Sequence, residues 1–161
     1  MALLSEITDD APSCTEYIDN MTPTYRGGFI RQRDHYKLNK VAVDQLRELV
    51  GDYQVVALFA DWCGDSRRAI PVLSLLEQEL DIKIRALGGM TRAPYGSDVN
   101  WAVPPSPIEV ETCDIRSSPT VIVFKASGEE VGRIKTKPRN TRSIEEELVW
   151  LILNRKEDSD N

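Results

Sequence analysis

The sequence predicts an α/β fold: a central mixed β-sheet flanked by helices, preceded by a helical N-terminal extension. Three observations carry this. An apolar run, Val55-Val56-Ala57-Leu58-Phe59-Ala60, has no polar alternation and reads as a strand buried on both faces. A helical pattern and a second short strand follow it at once, making a β-α-β unit. Near the C-terminus, two strand-like runs flank Ser127-Gly128, a hairpin signal.

The chain has 161 residues, enough for one domain with a terminal extension. Its expected organisation is an extension over 1–50, packed on a domain over 51–155, and a polar tail over 156–161. Hydrophobic residues make up 41%, which suffices for a core. The net charge of −6 argues against nucleic acid or an anionic membrane surface as the main partner. No run of 18 apolar residues is present, so no membrane-spanning helix is expected. Met1 to Asp10 carries three acids, no Lys or Arg and no apolar h-region, unlike a secretory signal. Three cysteines, Cys14, Cys63 and Cys113, do not make a secreted disulfide framework. They fit a reducing, cytoplasmic setting. The lone His35 has no Cys or His at ligand spacing, so neither a metal nor another cofactor is expected.

Along the chain, residues 1–28 read as one or two short helices or loops closing at Gly27-Gly28. Arg31, Arg33 and Lys37 read as a solvated basic face. Val41, Val43, Leu46, Leu49 and Val50 fall near helical spacing, and Gly51 stops that helix. After the break at Asp61-Trp62-Cys63-Gly64, Ile70, Leu73, Leu76 and Leu80 mark a helix that Pro71 should kink. Ile82 to Leu87 reads as the second strand. Residues 88–112, with Pro94, Pro104, Pro105 and Pro107, read as a long irregular loop of a kind that is often functional. Within it, Trp101 could cover the active site or fill an apolar gap. Thr120 to Lys125 and Glu130 to Lys135 form the hairpin. A closing helix carries Ile144, Leu148, Trp150 and Ile152, with Thr141 or Ser143 as N-cap and Trp150 expected in the core.

The chemistry centres on Cys63. A cysteine where a strand gives way to a helix meets unpaired backbone N–H groups and the positive end of the helix dipole. Both favour the nucleophilic thiolate. Arg67 and Arg68 in the first turn add to this, and Asp65 opposes it. The alternative is an inert buried cysteine.

These residues carry a resemblance to the thioredoxin-like superfamily. Asp61-Trp62-Cys63-Gly64-Asp65-Ser66 resembles the family's Trp-Cys-Gly-Pro-Cys active site, in a variant with Asp after the glycine. Pro71 stands where the family has its helix proline. Ile115-Arg116-Ser117-Ser118-Pro119-Thr120 resembles the cis-proline segment, and Val131-Gly132 resembles the glycine of the last strand pair. The likeness covers about residues 52–153.

The resemblance implies a thiol–disulfide oxidoreductase with a redox-active Cys63, assisted by Ser66 as a hydrogen-bonding partner of the thiolate. It places Trp62, Gly64, Asp65, Ser118 and Pro119 against the substrate, with the backbone before Pro119 docking it in strand-like fashion. Substrates would be a protein disulfide or a low-molecular-weight disulfide, released by an external thiol or reductase.

Two departures matter. Ser66 occupies the position of the family's second cysteine, giving a CxxS motif, and an alkoxyl oxygen cannot resolve a mixed disulfide. Ala57 replaces the buried acid six residues before the reactive cysteine. Together they imply a mechanism through a single cysteine. A natural cysteine at 66 would instead make a dithiol reductase. Cys113, six residues before Pro119, is a weaker candidate for a resolving thiol, and Cys14 weaker still. The glycine pair expected of a glutathione site is missing at Val131-Gly132-Arg133, and the peroxiredoxin pattern before Cys63 is absent. A second class of function stays open: a binding module that uses the scaffold without catalysis.

Overall fold

In the computed structural model, which describes residues 1–155, four strands form one mixed sheet in the order β2-β1-β3-β4. The strands are β1 (Tyr53–Leu58), β2 (Arg85–Leu87), β3 (Thr120–Lys125) and β4 (Glu130–Lys135). β1 pairs parallel with β2 and antiparallel with β3, and β3 pairs antiparallel with β4. The helices are α1 (Cys14–Asp19), α2 (Pro23–His35), α3 (Lys40–Leu49), α4 (Gly64–Leu80), α5 (Glu109–Thr112) and α6 (Ile144–Leu153). The polar tail expected over 156–161 lies outside the described residues.

The apolar run after Gln54 divides its side chains between two cores, as a strand with period two must. Val55, Ala57 and Phe59 face a core built with α1, α2, α3, α4 and α6. Val56, Leu58 and Ala60 face a second core, which holds Ile7, Met90, Trp101, Val110, Cys113 and Ile115. β1 is therefore covered on both sides. The first fifty residues are not peripheral: Cys14, Ile18, Phe29 and Leu46 are all at most 2% exposed within the larger core.

Several local expectations change. Gly27 and Gly28 do not close a loop but lie inside α2. The helix starts with Pro23 at its first position and runs through both glycines. A Cβ at Gly28 would stand 2.7 Å from Cδ of Arg67, so the stem of the Arg67 side chain on α4 lies against this glycine. The second strand begins at Arg85 rather than Ile82, because the preceding backbone is bonded elsewhere. The Ile84 amide donates to Glu77 at 2.8 Å, and the Ile84 carbonyl accepts from the Cys14 amide at 3.0 Å. Buried Glu77 also accepts from the Cys14 and Thr15 amides and from the Thr15 hydroxyl, which fastens α1 to α4.

Residues 88–112 are largely irregular, but they close with α5 and contain an isolated bridge between Arg92 and Trp101. Trp101 fills the second core, and its indole N–H donates to the Ile115 carbonyl at 2.8 Å. Trp150 is not core. α6 turns Ile144, Leu148, Val149 and Ile152 inward and leaves Trp150 38% exposed. Ser143 is the cap, accepting from the Glu146 amide.

Candidate active site

β1, an interior strand, delivers the chain to the strand's C-terminal end, where Phe59 and Ala60 continue it without exposure and the Cys63 amide bonds back to the Ala60 carbonyl at 3.2 Å. Cys63 is the N-cap of α4, in extended conformation with φ −84° and ψ 128°. The helix thus begins at Gly64, and Cys63 stands at its positive end. α4 continues through Pro71 to Leu80. Of the three cysteines, Cys63 is half-buried, whereas Cys14 and Cys113 are buried. Burial pushes the Cys14 and Cys113 thiols above their ordinary range, with Glu77 adding to the effect at Cys14.

The segment before β3 completes the site. The Ser118–Pro119 peptide bond is cis, and the Ser118 carbonyl accepts from the Cys63 thiol at 3.3 Å. The Ser118 hydroxyl accepts from the Ala60 amide at 2.9 Å and lies 3.1 Å from the Ser66 hydroxyl. Ser66 is fully buried. Its hydroxyl is therefore committed to Ser118, and Ser66 reaches the thiol through Ser118 rather than by a hydrogen bond of its own. Cys63, Ser66, Ser118 and Pro119, distant in sequence, form one connected group.

Trp62 immediately precedes Cys63 in the turn. Its indole N–H donates to the Met90 carbonyl at 3.2 Å, and the ring remains 42% exposed. The Arg92 guanidinium lies 5.5 Å from the centroid of Trp62 and 6.0 Å from that of Trp101. Asp65 is bridged by Arg68 at 2.9 Å. On the other side, the Tyr17 hydroxyl donates to Oδ1 of Asp61 at 2.7 Å, and the Tyr17 ring meets Phe59 edge-on at 4.9 Å. His35 takes no part in this network. It ends α2, with Nδ1 2.8 Å from the Arg31 carbonyl.

Sequence reasoning missed Tyr17, Met90 and Arg92. Tyr17 is one of five tyrosines and lies 44 residues before Asp61, so no motif spacing marks it. Met90 contributes only its backbone. Arg92 had a weak signal: it sits in the irregular segment that reads as functional. Among the described residues, no group of three or more His, Cys, Asp or Glu is arranged to hold a metal ion.

A cysteine capping a helix after a central strand, opposite a proline that opens an antiparallel strand, is the arrangement of a thioredoxin fold. The comparisons agree with that class. Residues 11–88 match the family model described as thioredoxin. Over 79 residues the chain is 34% identical to thioredoxin from Chlamydia muridarum (strain MoPn / Nigg), which covers 49% of this chain and 64% of that protein. The chain thus matches less than two thirds of that relative's length. A protein of unknown function from Pseudomonas aeruginosa superposes with a TM-score of 0.62 at 16% identity, covering 88% of this chain and 81% of that one. An HIV epitope-scaffold superposes with a TM-score of 0.60 at 13% identity, covering 88% and 84%. Residues 11–88 resemble the thioredoxin family, and the four-stranded mixed sheet with its flanking helices is a thioredoxin fold. The family match begins at residue 11 and so takes in α1, α2 and α3.

Proposed function

We propose that this protein is a thiol–disulfide oxidoreductase that works through the single cysteine Cys63 in a reducing, cytoplasmic setting. The observation that carries the reading is the position of the Cys63 thiol. It caps α4, remains half-exposed and is bonded to the carbonyl beside Pro119, while both other thiols are buried. Cys63 attacks a disulfide, breaks its S–S bond and forms a mixed disulfide, releasing the other half as a thiolate that takes up a proton. An external thiol then attacks the mixed disulfide and regenerates Cys63.

The remaining residues hold this reaction in place. Trp62 supplies apolar surface beside the sulfur. Gly64 and Asp65 form the rim at the helix start, and Ser118 with Pro119 offers backbone for a strand-like substrate segment. Ser66 supports the Ser118 hydroxyl instead of resolving the intermediate, since oxygen at this position cannot displace a thiol.

The test is mass spectrometry of the intact protein treated with a small disulfide. One adduct on Cys63, stable until an external thiol is added and absent in Cys63→Ser, is the expected result. A protein that forms no adduct at Cys63 would leave the scaffold as a binding module.

A further inference from the structure

The two acidic side chains within two residues of Cys63 are engaged: Asp61 accepts from Tyr17, and Asp65 is bridged by Arg68. Two guanidinium groups differ. Among the described residues, Arg67 and Arg92 have no carboxylate or hydrogen-bond partner for their side chains, and both are exposed. Arg67 lies in the first turn of α4, its Nη2 3.9 Å from the place a Cβ on Gly64 would take. Arg92 rests near the rings of Trp62 and Trp101, each fixed by its indole N–H to a backbone carbonyl.

This arrangement leaves the guanidinium edges available. The cation–π contact with the indoles leaves the in-plane N–H donors of the Arg92 group without a hydrogen-bond partner among the described residues. Planar guanidinium donors match the two oxygens of a carboxylate. Both cations lie beside residues adjacent to Cys63, although the chain as a whole carries a charge of −6. At physiological salt the Debye length is about 8 Å, so distant acids are screened and groups at contact range dominate.

We propose that Arg67 and Arg92 make Cys63 selective for disulfides whose substituents carry carboxylates beside the S–S bond. The proposal rests on the thiol–disulfide reading above. The Cys63 thiolate attacks the nearer sulfur, a new S–S bond forms, and the old one breaks. The departing carboxylate-bearing thiolate leaves with the bonding electron pair and is protonated by solvent. Cys63 is oxidised and the leaving sulfur reduced, so the step needs no other oxidant. The guanidinium groups hold the retained carboxylate while the second thiol attacks.

The experiment measures the rate of Cys63 adduct formation with three small disulfides: dithiodiglycolate (anionic), hydroxyethyl disulfide (neutral) and cystamine (cationic). Each rate is divided by that of 2-mercaptoethanol with the same disulfide, which removes intrinsic reactivity. We expect a normalised preference for the anion over the cation of about tenfold, from a few-fold effect per charge at contact range. It should shrink in about 1 M salt, where the Debye length is about 3 Å. Arg92→Gln and Arg67→Gln should each reduce the preference, the double variant should abolish it, and Arg92→Lys should restore most of it. Lys40→Gln on α3 removes the same formal charge from an exposed site and should leave the preference intact.

Equal normalised rates in the native protein, or a preference that survives in the double variant, overturn the selectivity and leave the oxidoreductase reading standing. Failure of every disulfide to modify Cys63 overturns both.

Discussion

The hydroxyl of Tyr17 donates to the carboxylate of Asp61 over 2.7 Å, which joins helix α1 to the turn that presents Cys63. Gly88 leaves the space in which that hydroxyl sits, since a Cβ there would overlap the Tyr17 ring and hydroxyl. The N-terminal helix is thereby part of the construction of the turn that carries Cys63.

Removing that hydroxyl tests the connection. Tyr17→Phe should cost about 1.5–3 kcal/mol, the range for a hydrogen bond to a charged group. Urea denaturation measures the loss, and hydrogen exchange should show faster opening at the Cys63 amide, bonded to the Ala60 carbonyl, than in the native protein. Unchanged protection at the turn would mean that α1 does not hold it.

Two glycines at close contacts should respond differently to alanine. Gly88→Ala meets a ring packed against Phe59 and should cost about 2–3 kcal/mol. Gly28→Ala meets only the exposed, flexible stem of Arg67 and lies inside a helix, where alanine is favoured by about 1 kcal/mol. It should be neutral or slightly stabilising by the same urea measurement. A double-mutant cycle of Gly88→Ala with Tyr17→Ala should be strongly non-additive, because both act on one contact.

Replacing Ser66 by cysteine should change the course of the reaction. The position is buried next to Ser118, three residues after Cys63, where a thiol can attack a mixed disulfide on Cys63. In Ser66→Cys the adduct should be lost without added thiol, leaving protein two mass units lighter than the reduced form. Persistence of the adduct would show that the second position is sterically closed.

Stability should decline at both ends of the pH range for identifiable reasons. Burial pushes the Tyr17 and Tyr36 hydroxyls well above their ordinary value, reinforced by Asp61 and Glu145. Their contribution is present below the unfolded value of about 10 and falls as pH rises beyond it, because the unfolded chain then gives up protons more readily. Tyr36→Phe should flatten the alkaline decline. At the acidic end, burial alone would raise the Glu130 carboxyl, but Arg133 at 2.6 and 2.7 Å overcomes it and holds the carboxyl below the usual range. That contribution is present above about pH 4.3 and is lost as pH falls through the depressed value. Glu130→Ala should cost about 3 kcal/mol, since it strands a largely buried guanidinium and releases the Ala2 amide. Thermal unfolding from pH 2 to 11 measures both limbs.

Much of the architecture was legible because it follows from local periodicity. The run from Val55 to Ala60 had to be covered on both faces, and the structure supplies a core on each. The hairpin at Ser127-Gly128 and the helix ending at Leu80 follow equally local rules. The site was legible through one motif, Trp62-Cys63-Gly64, and one dipeptide, Ser118-Pro119. Trp150 misled, since periodicity marks an apolar stripe but not how wide a stripe the neighbouring sheet covers. Ile82 to Ile84 misled because the buried Glu77 carboxylate takes the Ile84 amide that a strand would otherwise use.

The sequence by itself determined the order of elements, the helix start at Cys63 and the oxygen at position 66. Those features depend on residues within a few positions of one another. Only the tertiary structure decided that Tyr17 reaches Asp61, that the Ser66 hydroxyl faces Ser118, and that the Arg92 guanidinium lies near the Trp62 ring. These contacts span 44, 52 and 30 residues, and each is fixed by packing that brings remote backbone together. No local preference in the chain specifies which side chains will meet there.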